Sequence, residues 1–179
     1  MDKGFFMEYP QVNNNPVFVD HRGTFAPLSL NSYDKKWLQS NVSINPKILT
    51  LRGLHFQVGD KAQSKLIKVI TGSIVDFIVD IREDSPEYMK LYHYNMVSGA
   101  ELLVPRGFAH GFMTTQPNTV VQYLVDNVYS PESEGSIYWK EIEGLYDVLN
   151  FASYFKELED EDIIMSDKDY ITKNFKLNK

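Results

Sequence analysis

The stretch from Ser73 to Ile81 constrains the fold more than any other part of the chain. Val75, Phe77, Val79 and Ile81 fall on one side of a period-two repeat, and Ile74, Asp76, Ile78 and Asp80 on the other. That alternation is the mark of a β-strand. The preceding run, Lys65 to Ile70, is also rich in β-formers, and Thr71-Gly72 between the two predicts a tight hairpin turn. Tyr92 to Val97, Glu101 to Val104 and Thr119 to Val125 read as further strands, with Tyr123 on the same face as Val121 and Val125. Ser98-Gly99, Pro105-Arg106-Gly107 and Gln116-Pro117-Asn118 punctuate them. Many short strands with turn signals between them predict an all-β sandwich or barrel of the jelly-roll type.

Two short helices are expected at the periphery. One runs from Asn31 to Gln39, capped by Asn31 or Ser32. The other runs from Phe151 to Glu161, where Phe151, Tyr154, Phe155 and Leu158 have helical spacing. The acidic run Glu157 to Asp162 reads as a solvated face or loop. No repeat, low-complexity tract or linker divides the 179 residues, so one domain over 1–179 is expected.

Composition narrows the function classes. An apolar fraction of 43% with 13% aromatics supports a packed core. The net charge is −6 and the Lys and Arg residues are scattered, so the basic stripe of a nucleic-acid surface is missing. With no cysteine there is no disulfide framework, no thiolate metal site and no thiol nucleophile, which fits a cytoplasmic location. No apolar run approaches the roughly 18 residues that would span a bilayer. The N-terminus has no long apolar stretch of the signal-peptide kind.

Only four histidines are present, and one lies in Arg52-Gly53-Leu54-His55-Phe56-Gln57, ten residues before Lys65. An imidazole titrates near neutrality and can act as a general base, although a lone histidine in a strand is more often structural. Arg52 and His55 are three apart, so a regular strand points them to opposite faces, and a bend at Gly53 is needed to bring both into one cavity. Lys65 reads either as a surface strand residue or as a cation beside a developing oxyanion. His110, in Pro105-Arg106-Gly107-Phe108-Ala109-His110-Gly111-Phe112, is expected in a buried turn with a hydrogen-bond partner. Tyr123 is a barrel-lining aromatic whose phenol is also a possible general acid.

Metal ligation is the rival explanation for histidines in a barrel. Gln57 stands two residues after His55, Gly111 and Phe112 follow His110, and His21 and His93 have no close ligand-type neighbour, so ligand spacing argues against a metal. A phosphate-binding glycine loop and a GxSxG nucleophile elbow are also absent.

Taken together, DHRG near the start, QSNVS, RGLHFQ, AQSKLIKVITGSIVDFIVDIR, SPEY, VPRGFAHGF, YSPESEGSIYW and MSDKD resemble the dTDP-4-dehydrorhamnose 3,5-epimerases, which are metal-independent cupins. The resemblance runs from about Phe18 to Asp169 and implies a cupin-type jelly roll, no cofactor, a nucleotide-sugar substrate and a homodimer. It implies His55 as the base, Asp169 as its orienting partner, Lys65 near the ketone and Tyr123 as the acid on the opposite face. Arg22, Gln39, Asn41, Arg52, His110 and Asp76 complete the substrate-contact set it implies. Pro27 stands where the family commonly has glutamate, and Val128 where it often has the first of two tyrosines. The activity implied is epimerisation at C3, C5 or both of a nucleotide-linked 4-keto-6-deoxy sugar. A 3,4-ketoisomerase and a non-catalytic sugar-nucleotide-binding cupin are the alternatives.

Overall fold

A computed structural model describes residues 8–28, 30, 33–153 and 158–170. Twelve strands are assigned among the described residues: β1 (Gln11–Asn14), β2 (Phe18–Asp20), β3 (Gly23–Phe25), β4 (Gln39–Asn45), β5 (Leu51–Gln57), β6 (Lys65–Thr71), β7 (Ser73–Asp80), β8 (Leu91–Val97), β9 (Ala100–Val104), β10 (Phe108–Thr114), β11 (Thr119–Val125) and β12 (Glu134–Ser136). They form a front sheet ordered β1-β9-β6-β11-β4, a back sheet ordered β12-β5-β10-β7-β8, and a separate β2–β3 hairpin. Every paired strand is antiparallel, and the two five-stranded sheets build a cupin-type jelly roll, in keeping with the expected fold class.

The alternation in β7 divides its residues between two cores. Ile74 and Ile78 point between the sheets, where they meet Ile67, Val69, Leu102, Phe112 and Val121. Val75, Phe77, Val79 and Ile81 point out of the back sheet into a second core. That outer core is closed by the chain after β12: Trp139, Ile142, Leu158, Ile163 and the helix α1 (Leu145–Ala152), which buries Leu145, Leu149 and Ala152. Tyr33, packed with Leu66, Leu103, Leu124 and Trp37, covers the outer face of the front sheet. Burying both faces of each sheet is what allows apolar residues at nearly every position of β7 and β10.

Three local expectations are corrected. No helix forms over 33–38, and Gln39 already belongs to β4, while Asn31 and Ser32 lie outside the described residues. Tyr33 and Trp37 are spaced like a helical pair but pack onto the front sheet from a non-helical strap. The second helix lies earlier than expected and ends at Ala152. The N–H of Ser153 bonds back to Leu149 and Asn150, and the Asn150 side chain accepts from the N–H of Leu158. Tyr154, Phe155 and Glu157 lie outside the described residues. His110 is not in a turn: it sits mid-strand in β10, whose backbone is paired on both sides, by β5 and β7.

Candidate active site

The cavity at the open end of the sandwich owes its contents to one irregularity. Along β10 and β5, His110 pairs with His55 and Phe112 pairs with Arg52, so two steps on β10 face three on β5. The extra residue is a β-bulge at Gly53-Leu54, and it resets the alternation of β5. Leu51, Leu54 and Phe56 therefore point to the outer core, while Arg52 and His55 both line the cavity beside Phe112 and His110. Gly53 has φ +112°, and a Cβ there would stand 2.6 Å from both the Gly111 Cα and the His110 carbonyl oxygen. Close backbone approach and a positive φ both require glycine at this point.

The cavity has a volume of ≈ 390 Å³ and is lined by Arg52, His55, Lys65, His110, Tyr123 and Asp169, among others. It continues into a neighbouring trough of ≈ 340 Å³ that shares His55, Lys65, Tyr123 and Lys168 and adds Gln39 and Asn41. All four residues expected to be catalytic and four of the six expected contacts thus face one continuous space. The other two do not. Asp76 is completely buried behind His110. Arg22 lies in the turn of the β2–β3 hairpin, with its side chain 80% exposed and paired to Asp20, and it does not line the cavity.

Asp169 accepts a hydrogen bond from His55 Nε2 at 2.7 Å, across 114 residues of sequence. It is brought there by a short 3-10 turn, Asp167–Tyr170, anchored upstream where the Leu51 N–H donates to the Ile164 carbonyl and the Ile164 N–H to the Leu49 carbonyl. Burial alone raises the Asp169 pKa, but the hydrogen bond and charge of His55 outweigh it and hold the carboxyl below its usual value. An ionised carboxylate at Nε2 fixes the tautomer with its lone pair on Nδ1.

His110 makes a second, deeper pair: its Nε2 lies 2.8 Å from Asp76 Oδ2. Burial raises the Asp76 pKa, against the opposing pull of His110 and Lys65. Lys65 Nζ donates to the His55 carbonyl at 3.0 Å, tying β6 of the front sheet to β5 of the back sheet. Burial lowers the Lys65 pKa to about 8, opposed by Asp76 and Glu134. Tyr123 enters from β11, and burial raises its pKa despite the nearby Arg52 guanidinium, so the phenol keeps its proton at neutral pH. Arg52 is steadied by Nε donating to Asn45 Oδ1 at 2.9 Å.

Sequence reasoning assigned no role to Lys168 and Glu134, which also line this space. Lys168 Nζ donates to Glu134 Oε1 at 2.7 Å, and the Tyr129 hydroxyl donates to Glu134 Oε2 at 3.0 Å. The signal was available: Lys168 immediately precedes Asp169 in MSDKD, and Glu134 lies in YSPESEGSIYW. Among the described residues, no group of three His, Asp or Glu side chains is placed to hold a metal ion. A base with its orienting acid, a buried ammonium and a protonated phenol is a set suited to moving protons next to a carbonyl.

Comparisons with known proteins agree with this chemistry. The family model for dTDP-4-dehydrorhamnose 3,5-epimerase matches residues 10–176. The chain is 39% identical over 134 residues to the dTDP-4-dehydrorhamnose 3,5-epimerase of Sinorhizobium fredii, covering 68% of this chain and 67% of that protein. The crystal structure of the Bacillus anthracis enzyme of that name, with TDP and PPi bound, matches with a TM-score of 0.76 and 36% identity over 91% of this chain and 92% of the other. A Legionella pneumophila dTDP-6-deoxy-D-glucose-3,5-epimerase in complex with dTDP-4-keto-L-rhamnose matches with a TM-score of 0.72 and 28% identity, over 91% and 86%.

Proposed function

This chain belongs to the dTDP-4-dehydrorhamnose 3,5-epimerase family, and on that ground we propose that it inverts C3, C5 or both of dTDP-4-dehydro-6-deoxyglucose, with His55 as the base. It is an isomerase. The observation that carries the assignment of roles is the convergence of His55, Asp169, Lys65 and Tyr123 on one cavity.

The 4-keto group acidifies the hydrogens at C3 and C5. Nδ1 of His55 takes one of them, and Asp169 stabilises the imidazolium that forms, as the 2.7 Å hydrogen bond permits. The electron pair moves onto the ketone oxygen, where the Lys65 ammonium stabilises the enolate by charge and hydrogen bonding. Tyr123, on the opposite sheet, returns a proton to the other face of the ring and inverts the centre. Acid–base catalysis is worth about 10² to 10⁴ in rate, so a large share of the remainder falls to the charge held at the enolate oxygen. Arg52, Gln39, Asn41 and His110 are the proposed substrate contacts, with Asp76 acting through His110.

We further propose a cytoplasmic homodimer. No helix among the described residues is long and apolar enough to cross a membrane. The β2–β3 hairpin pairs with neither five-stranded sheet and exposes Phe18, Val19 and Phe25, and the edge strand β4 exposes Val42 and Ile44 where they line the cavity. A second copy gives those surfaces a partner, and gives Arg22 a nucleotide to contact.

The test is incubation with dTDP-4-keto-6-deoxyglucose in deuterated water, with product analysis. Deuterium at C3 or C5 is expected, absent in His55→Ala. Uptake no higher than in that control would refute this substrate. A 3-keto product would identify the ketoisomerase, and tight binding without exchange a non-catalytic binder.

A further inference from the structure

We infer that Lys68 is a positioning residue that pins the root of the β2–β3 hairpin to the front sheet and so sets where Arg22 is presented. Lys68 lies on β6 with its side chain 5% exposed, and it lines neither part of the active-site space. Its Nζ donates to the Pro27 carbonyl at 2.7 Å and the Ala26 carbonyl at 3.4 Å, the two residues that follow β3. It also pairs at 2.9 Å with Glu101 of β9, whose side chain is 1% exposed. The Tyr33 hydroxyl donates to Glu101 Oε2 at 3.3 Å and accepts from Asn13 Nδ2 at 2.7 Å.

The geometry of the network explains its use. Asn13 is in β1, just before the hairpin, and pairs in register with Glu101. Pro27 is just after the hairpin, and Lys68 pairs in register with the same Glu101. The chain therefore leaves the front sheet and comes back against it at one place: the second foot is held directly by Lys68, and the first reaches Glu101 of the same buried ion pair through the Tyr33 hydroxyl. Between those feet, all of residues 17–25 are exposed. An arm without burial of its own takes its direction from its root. A buried ion pair is an inefficient way to gain stability compared with apolar packing. Here the ammonium also occupies two backbone carbonyls that lie outside any strand pairing. The consequence for catalysis rests on the proposed reading of the hairpin as an arm that serves a second copy.

The chain has no cysteine, so Thr24→Cys on the arm and Asn95→Cys on β8, both exposed positions, give a pair of spin labels within one chain, read in samples diluted with unlabelled protein so that the distance does not depend on a second copy. Four proteins are compared in that background: Lys68, Lys68→Arg, Glu101→Gln, and the double variant Lys68→Met/Glu101→Leu, which removes both charges together and protects the fold. The double variant is expected to broaden the label-to-label distance distribution and raise KM roughly ten-fold, with kcat within about three-fold, because a nucleotide contact remote from the reacting carbons binds ground state and transition state alike. Lys68→Arg and Glu101→Gln retain a donor to the carbonyls and are expected to keep a narrow distribution. An unchanged distribution in a folded double variant overturns the inference. A broadened distribution with unchanged KM and oligomeric state upholds the pin and overturns the arm reading instead.

Discussion

Replacing Gly53 by alanine tests the central geometric argument. The added methyl lies 2.6 Å from the Gly111 Cα and 2.6 Å from the His110 oxygen, both backbone atoms that no side-chain rotation can move aside. Overpacking of this kind costs about 1–3 kcal/mol. A φ of +112° lies outside the left-handed helical region, and forcing a residue with a Cβ into it costs a further ~1–3 kcal/mol. The total, roughly 2–6 kcal/mol, is a large part of the ~5–15 kcal/mol that holds a domain folded. At ~2–4 °C per kcal/mol the melting temperature falls on the order of 10 °C. The displaced strands carry His55 and His110, so kcat/KM falls about 10²-fold even where the protein remains folded. Gly59→Ala is the control: φ is +61°, nothing lies within 4 Å of the new methyl, and the cost is only about 1–2 kcal/mol. Thermal melts and steady-state kinetics on both variants decide the matter. If Gly53→Ala melts with Gly59→Ala and retains kcat/KM, the bulge does not set the site.

Asp169→Asn removes the carboxylate that fixes the His55 tautomer, and kcat is expected to fall by about 10² to 10⁴. Because the folded-state pKa of Asp169 lies below its usual 3.8, its ionisation stabilises the fold above that value and the benefit is lost as pH falls through the lowered one. Denaturation curves should therefore show the variant's deficit at pH 7 shrinking in strong acid. In the proposed mechanism Lys65 acts as the ammonium, and burial lowers its pKa to about 8, so kcat should decline as pH rises through about 8. Lys65→Arg should move that alkaline limb beyond the accessible range. The sign for stability is opposite: burying the ammonium is penalised below about 8, and the penalty is relieved as pH climbs toward the unfolded value of 10.5.

What was legible in the sequence followed local rules. The strands β6, β7, β8 and β11 carry β-rich or alternating runs, and glycine or proline marks several of the turns between Lys65 and Val125, so local chemistry suffices to find them; β10, buried at every position, has no such alternation. The bulge was visible only in part: Gly53 marks it, but its shape depends on Gly111 and His110 in a strand more than fifty residues later. The helix after β12 was misplaced because Phe151, Tyr154, Phe155 and Leu158 imitate an amphipathic stripe. The buried stripe is instead Leu145, Leu149 and Ala152, and Phe151 is 74% exposed. His110 looked like a turn residue because glycines flank it, whereas a strand paired on both sides and buried throughout accommodates small residues equally well. Two hydrogen-bonding partners on different strands, as in Lys68 with Glu101, leave no local trace at all.

His55 comes from the back sheet and Tyr123 from the front one. The separation between the proposed base and acid is thus an inter-sheet dimension, maintained by residues such as Ile67 and Val121 on one side and Ile78 and Phe112 on the other. Mutational drift in those aliphatic side chains alters the gauge of the site without touching a sugar. Rate is then heritable through packing as well as through catalytic groups, and selection for faster or narrower variants has a reservoir of sites that no inspection of the cavity wall reveals.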